Sequence, residues 1–212
     1  MSLRTLFQKN PKGKRKAPFG LIVLVAALLA ALSMQIVAWM NPQPPVPLFV
    51  PDPHLIQTAS LDQASALVGR PLFIPTLPDG VSPYLAGAYT EDGGGFNKGS
   101  VAIVLARNGW RYAELLEKIG ASLEEEKTRL HAAATEEVYL GGTTGFLLTF
   151  SRPRVACVPA NKRQPLGVCQ ITKTLAFERA GAVILLSIDG THATLGEIIL
   201  MARAIVDETP SP

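Results

Sequence analysis

The chain has few of the residues from which most catalytic sites are built. Among its 212 residues are two cysteines, Cys157 and Cys169, and three histidines, His54, His131 and His192. The cysteines lack the Cys-x-x-Cys spacing of thiol redox proteins. The glycine clusters lack the accompanying residues of a P-loop or a dinucleotide fingerprint, and no serine lies in a Gly-x-Ser-x-Gly motif. We therefore predict no enzymatic activity, no catalytic residue, no cofactor and no bound metal.

Acidic residues are absent before Asp52, whereas the first 18 positions contain six basic residues: Arg4, Lys9, Lys12, Lys14, Arg15 and Lys16. They precede residues 19–40, FGLIVLVAALLAALSMQIVAWM, a run of 22 residues without charge. As a helix rising about 1.5 Å per residue, this run would be roughly 33 Å long, enough to cross a bilayer core of about 30 Å. Cations resist transfer through hydrocarbon, so the N-terminus stays in the cytoplasm. We predict a single-pass membrane protein whose C-terminal part is extracytoplasmic.

A cleaved signal peptide is the alternative interpretation of the same run, because Ala31-Leu32-Ser33 offers a small-residue cleavage site. The apolar run, however, exceeds the roughly 7–15 residues of such a segment and continues through Trp39. We therefore prefer an uncleaved anchor in the cell membrane, in contact with the lipid bilayer through residues 19–40. Both interpretations place the rest of the chain outside the cytoplasm.

Composition divides the chain into five segments. A basic cytoplasmic tail (1–18) and the transmembrane helix (19–40) are followed by a linker (41–53) with six prolines, which favour an extended polyproline II conformation. Residues 54–207 are predicted to form an extracytoplasmic domain, and 208–212 a disordered tail. All 17 acidic residues lie beyond the basic tail, against 14 of the 20 basic residues, a net charge close to −3. We therefore expect no nucleic-acid partner.

Capping patterns predict three helices in the domain, beginning after Ser60, Ser122 and Thr194, each followed three residues later by Gln or Glu. Strands are predicted at 71–75 (an edge strand), 84–90, 100–106, 137–140, 145–151, 170–177 and 182–188. Residues 110–119 fit either a helix or a strand, and the Asn108-Gly109 turn favours a returning strand. Together these elements predict an α+β domain: a curved antiparallel sheet with a few helices packed on one side.

The order of these elements resembles that of a group of uncharacterised bacterial domains. The resemblance rests on Phe73-Ile-Pro-Thr-Leu-Pro-Asp-Gly80, on the strand and glycine turn of 135–145, and on the closing helix of 195–205. Such domains lie outside the membrane behind a single transmembrane helix, often in anti-sigma-factor-like proteins, and are similar to curved-sheet proteins that sort or sense lipoproteins. The resemblance implies a binding or sensing domain and transfers no functional residue. The 18 residues before the helix are too few for a sigma-binding domain.

The two cysteines enclose a polar loop, residues 158–168. An even number of cysteines in an exported domain favours a structural disulfide between Cys157 and Cys169. A cross-link closing a loop of this length contributes roughly 2–3 kcal/mol in the chain-entropy model. The alternatives are a redox pair, or a metal site in which the two thiolates join His192 or His131. Three candidate ligands are a weak signal for such a site.

Basic side chains in and before this loop are the best candidates for contact with a partner: Arg152, Arg154, Lys162 and Arg163. We predict a membrane-anchored, non-enzymatic binding or sensor domain that engages a lipid, peptide or protein partner. An accessory subunit of a membrane complex is the alternative, because the alanines at 26, 27, 30 and 31 form a small-residue stripe suited to helix packing. A hydrolase using His192 and Asp189 is a third hypothesis.

Overall fold

In the described part of the chain, short segments rich in β-branched and apolar residues form ten strands. The computed structural model of the chain describes residues 54–151, 156–162 and 164–207, all within one compact unit, 46–212. The strands are β1 (Leu55–Thr58), β2 (Ser82–Tyr89), β3 (Val101–Arg107), β4 (Trp110–Ile119), β5 (Ala134–Tyr139), β6 (Thr144–Thr149), β7 (Cys157–Val158), β8 (Val168–Cys169), β9 (Lys173–Arg179) and β10 (Ala182–Ile188).

Eight of the strands form a curved antiparallel sheet in the order β1-β2-β3-β4-β10-β9-β6-β5. The sheet consists of two four-stranded meanders that meet where β4 pairs with β10. The remaining two strands, β7 and β8, follow β6 and precede β9 in the sequence, and they pair with each other as a separate two-stranded sheet. This arrangement confirms the predicted α+β class with a curved antiparallel sheet.

Three helices accompany the sheet: α1 (Leu61–Val68), α2 (Leu123–Leu130) and α3 (Leu195–Asp207). The predicted caps are present at all three. Ser122 and Glu125 form a reciprocal capping box, and the Thr194 side chain accepts a hydrogen bond from the Glu197 N–H group at 3.2 Å. Ser60 likewise accepts from the Gln63 N–H group, although the Gln63 side chain accepts from Ala59 rather than from Ser60.

Both faces of the sheet are covered, because the central strands are apolar on both sides. On β10, Ile184 and Leu186 pack in a core with α1 and α3, whereas Val183 and Leu185 pack under α2. We call these the α1/α3 face and the α2 face. The expectation that all helices pack on one side is therefore wrong. The helix α2 packs on its face through Leu123 and Leu130, and its buried Glu126 forms an ion pair with Lys118 on β4.

The Asn108-Gly109 turn leads into β4, so residues 110–119 form the returning strand that this turn favours. The predicted edge strand at 71–75 is wrong, since these residues form no strand. Pro71 and Pro75 have no N–H group to donate, and the Phe73 N–H group donates at 2.7 Å to the carboxylate of Glu117 on β4. The neighbouring apolar side chains pack on the α1/α3 core instead of joining the sheet.

Several predicted segments lie outside the described residues: the basic tail at 1–18, the transmembrane helix at 19–40, the linker at 41–53 and the tail at 208–212. Among the helices that the structure describes, none has both the length and the apolar character to cross a bilayer.

Candidate functional site

The turn that follows β10 is organised around the carboxylate of Asp189. Its Oδ1 atom accepts hydrogen bonds from the N–H groups of Thr191 at 2.7 Å and His192 at 2.9 Å. Its Oδ2 atom lies 2.8 Å from Nδ1 of the His192 ring. Asp189 is buried, and Thr172 donates at 2.7 Å to its carbonyl group. The sequence Asp189-Gly-Thr-His192 therefore fixes the imidazole at the end of the sheet.

An indole ring covers the imidazole. The rings of Trp110 and His192 stack with centroids 4.4 Å apart and planes 14° from parallel. The indole also touches the backbone at Gly167, where a Cβ atom would come within 2.4 Å of the ring. The N–H group of Arg111 donates to the Gly167 carbonyl at 2.7 Å, which ties the 166–169 segment to the start of β4. Only glycine at position 167 therefore allows this segment to lie on Trp110.

The disulfide adjoins the same ring. Cys157 and Cys169 lie directly opposite each other on β7 and β8 and are joined by a disulfide bond, which confirms the predicted pairing. Cys169 is fully buried and its Sγ atom lies 3.7 Å from Nδ1 of His192, whereas Cys157 is exposed. We call Trp110, Cys169, Asp189 and His192, with the bonded Cys157, the His192 cluster.

Two arginines hold the cluster in place from β3 and β4. Arg107 donates at 2.7 Å to the His192 carbonyl and at 2.8 Å to Glu197 at the start of α3. Its guanidinium also lies 4.4 Å above the centre of the Tyr112 ring, a cation–π contact. Arg111 is buried and donates to the carbonyl of Cys169. The cluster is thus bordered by two positive charges.

These contacts shift two pKa values. Burial by itself would raise the pKa of Glu197, but hydrogen bonds from Thr194 and Arg107 outweigh it and lower the pKa to about 2. Burial raises the pKa of Tyr112 to about 12, with a further contribution from the Glu197 charge. At neutral pH the Arg107–Glu197 pair is therefore fully charged beside a neutral phenol.

A row of polar side chains crosses the α2 face next to the cluster. Glu114, Ser187 and Thr174 occupy directly opposite positions on β4, β10 and β9. The hydroxyl groups of Thr174 and Ser187 are 2.9 Å apart and share a hydrogen bond. Burial raises the pKa of Glu114, and the charge of Arg111 partly offsets this effect. The row therefore gives a largely apolar sheet face a polar strip at the end that adjoins the cluster.

A shallow groove of about 360 Å³ lies at the β1–β2 edge of the sheet. It is lined by residues 59–62, from the end of β1 to the start of α1, and by residues 83–86 of β2. Tyr84 is 41% exposed there. The His192 cluster combines buried ionisable groups, a disulfide and a stacked imidazole, and is therefore the stronger candidate site.

Of the four predicted contact residues, the structure describes one. Lys162 is exposed in the loop that the disulfide closes, while Arg152, Arg154 and Arg163 lie outside the described residues. His192 and Asp189, the pair of the hydrolase hypothesis, do come together. Within the described part of the chain, the side-chain contacts of the His192 ring are with Asp189, the disulfide-bonded Cys169 and Trp110. No nucleophilic hydroxyl or free thiol is among them, and the hypothesis stays a prediction.

Sequence reasoning did not include Trp110, Arg107 or Arg111 in the site. The Asn108-Gly109 turn was a usable signal for them, because a tight hairpin places the residues just before and just after it together at one end of the sheet. That this end adjoins the disulfide follows only from the contacts of Gly167 and Cys169 with Gly109, Trp110 and Arg111, which are distant in sequence.

No protein-family model matches the chain, and neither the curated proteins nor the solved structures give a match.

Proposed function

We propose that the protein is a single-pass, membrane-anchored binding or sensor domain located outside the cytoplasm. The disulfide is the observation that carries this proposal. Disulfides persist in oxidising compartments and are rare in the cytoplasm. The only two cysteines of the chain form one. An extracytoplasmic location is also what the basic tail and the uncharged run at 19–40 predict.

The proposed contact surface is the loop that the disulfide closes, together with the His192 cluster at its base. The loop is held at three points: by the disulfide, by Gly167 against Trp110, and by Arg111 on the Cys169 carbonyl. A loop held in this way loses little further conformational entropy when it binds a partner.

The loop exposes Lys162, and the sequence adds three further basic residues in and before it: Arg163, Arg152 and Arg154. The partner is therefore expected to present negative charge: a lipid head group, a peptide or a protein surface.

Site-specific photocrosslinking in the cell membrane tests this proposal. A photoreactive amino acid replaces Lys162 in one variant and Leu200 in the matched control. Leu200 is 66% exposed on α3, outside the loop and outside the His192 cluster. We expect a defined adduct from position 162 and none from position 200.

Mass spectrometry of the adduct distinguishes a lipid from a peptide or a protein. Equal labelling at both positions, or none at position 162, would contradict the proposed surface. Protease added to intact spheroplasts tests the topology separately: digestion of the C-terminal domain is expected, and protection of that domain would overturn the location.

A further inference from the structure

The His192 cluster brings four metal-ligating side chains together, one more than the sequence indicated. Cys169, Asp189 and His192 each offer a ligand atom, and these atoms lie within 4.8 Å of one another. Cys157 is bonded directly to Cys169 and adds a fourth. We propose that reduction of this disulfide creates a zinc site in which Cys157, Cys169, His192 and Asp189 bind one Zn²⁺ ion.

The distances suit a tetrahedral zinc ion. With Zn–S near 2.3 Å and Zn–N near 2.05 Å, a tetrahedral site places sulfur and nitrogen about 3.6 Å apart. Sγ of Cys169 and Nδ1 of His192 are 3.7 Å apart. A zinc-bound nitrogen and oxygen would be about 3.4 Å apart. Nδ1 of His192 and Oδ2 of Asp189 are 2.8 Å apart, so this pair must separate by about 0.6 Å. Sγ of Cys169 and the Asp189 carboxylate lie within 4.8 Å of each other, against about 3.6 Å in a tetrahedral site.

The surroundings of the ligands also suit a metal. Asp189 uses Oδ1 to accept the N–H groups of Thr191 and His192, which leaves Oδ2 facing the ring. Trp110 stacks on the imidazole and Arg107 holds its backbone carbonyl, so the ring is already oriented. Zinc with two thiolates and one carboxylate carries a net charge of about −1. The buried Arg111, bound to the Cys169 carbonyl, lies close enough to offset it.

The chemical steps balance. A dithiol reductant transfers two electrons and two protons to the disulfide, becomes a disulfide itself and leaves two thiols on the protein. Zinc then replaces both thiol protons, which pass to solvent, and binds Nδ1 of His192 in the tautomer whose proton is on Nε2. The two sulfur atoms must separate to about 3.8 Å, which requires rotation of the exposed Cys157 side chain. The oxidised protein has no free thiolate and is not expected to bind the ion.

Metal titration of the full-length protein in detergent tests the proposal. Protein reduced with a phosphine and freed of reductant under nitrogen is titrated with Zn²⁺ against a chromophoric chelator. We expect one Zn²⁺ per reduced chain and none per oxidised chain. Loss of an outer-shell partner typically weakens metal binding roughly 10–100-fold, so loss of a direct ligand in His192→Gln or Asp189→Asn should cost at least that much.

The matched control is His131→Asn, because His131 is an exposed histidine at the C-cap of α2 and asparagine tolerates its positive φ. This variant should bind zinc like the wild type. Titration with Co²⁺ gives a second readout, since thiolate-to-cobalt charge-transfer absorption reports thiolate ligands directly. Absence of zinc uptake by the reduced wild type, or equal affinity in the wild type and His192→Gln, would overturn the proposal. A wild-type Co²⁺ complex without thiolate absorption would also overturn it, whether or not any variant folds.

Discussion

Arg70 and Glu117 form a salt bridge of 2.7 Å that joins the segment after α1 to the C-terminal part of β4. The Glu117 side chain is fully buried, and its second oxygen accepts the Phe73 N–H group at 2.7 Å. Arg70 also donates to the Gly99 carbonyl at 3.0 Å. Burial raises the pKa of Glu117, and the charge of Arg70 partly offsets this effect. One carboxylate therefore holds the 70–73 segment on the α1/α3 face.

Removal of the positive charge of Arg70 should destabilise the domain strongly. Arg70→Met leaves the carboxylate of Glu117 buried without a cation, and we expect a loss of about 3 kcal/mol in the free energy of unfolding. The measurement is urea denaturation of residues 46–212, the compact unit that contains the described residues. Adding Glu117→Gln to Arg70→Met should restore most of the stability, because the amide is neutral and still accepts the Phe73 N–H group. If Arg70→Met alone were as stable as the wild type, this account would be contradicted.

The pair of Arg107 and Glu197 predicts a dependence of stability on pH. The pKa of Glu197 in the folded protein, about 2, lies below its ordinary value of 4.5. The carboxylate therefore stabilises the fold fully above about pH 4.5, and this contribution is lost as the pH falls toward about 2. Because the Glu197 side chain is partly exposed, we expect its contribution to the free energy of unfolding to be about 2 kcal/mol at most.

Urea denaturation of the wild type and of Glu197→Gln between pH 7 and pH 2.5 measures this contribution. The difference in unfolding free energy should be largest near neutral pH and shrink toward pH 2.5. Arg107→Met should shrink the same difference at neutral pH, because it removes one of the groups that lower the pKa. A difference that stayed constant across the range would exclude Glu197 as the titrating group.

Local signals in the sequence account for much of the fold. The Asn108-Gly109 turn favoured the β3–β4 hairpin, and the capping residues Ser122 and Thr194 marked the starts of α2 and α3. The same local rules failed where a distant partner decides the conformation. Residues 71–75 have the composition of an edge strand, but the hydrogen-bond acceptor for Phe73 is a carboxylate 44 positions away.

The candidate site was predictable only in part, for the same reason. The even number of cysteines predicted the disulfide, and the spacing of Asp189 and His192 suggested that the two side chains meet. The contacts of Trp110 and Arg111 with Gly167 and Cys169 join residues more than 50 positions apart, which no local pattern specifies. Likewise, α2 lies on its own face through contacts with distant strands: Leu123 and Leu130 with the apolar cluster on β6, β9 and β10, and Glu126 with Lys118 on β4.

The contact between Gly167 and Trp110 predicts that Gly167 does not tolerate substitution by a residue with a Cβ atom. In Gly167→Ala, the new Cβ atom would lie 2.4 Å from the indole, so either the ring or the loop must move. We expect a loss of about 1–3 kcal/mol in the free energy of unfolding and a change in tryptophan fluorescence as the ring leaves His192.

The control for this substitution is Gly196→Ala in α3, where a Cβ atom meets nothing within 4 Å. That variant should be unchanged or more stable by about 0.5–1 kcal/mol, because alanine is the better helix former. The two variants are compared by urea denaturation of residues 46–212. Similar effects at both positions would show that the indole contact does not constrain residue 167.

The disulfide should contribute to stability through the loop that it closes. Cys157 and Cys169 are 12 positions apart, and a loop of that size corresponds to about 2–3 kcal/mol in the chain-entropy model. The variant Cys157→Ser/Cys169→Ala suits the test, because serine is tolerated at the exposed position and alanine leaves no unpaired polar group at the buried one. We expect urea denaturation in the presence of a chelator to show this loss.

Dithiothreitol should lower the stability of the wild type by a similar amount and leave that of the variant unchanged. If dithiothreitol destabilised both proteins equally, its effect would not come from this bond, and the disulfide would have no measurable role in holding the loop against Trp110.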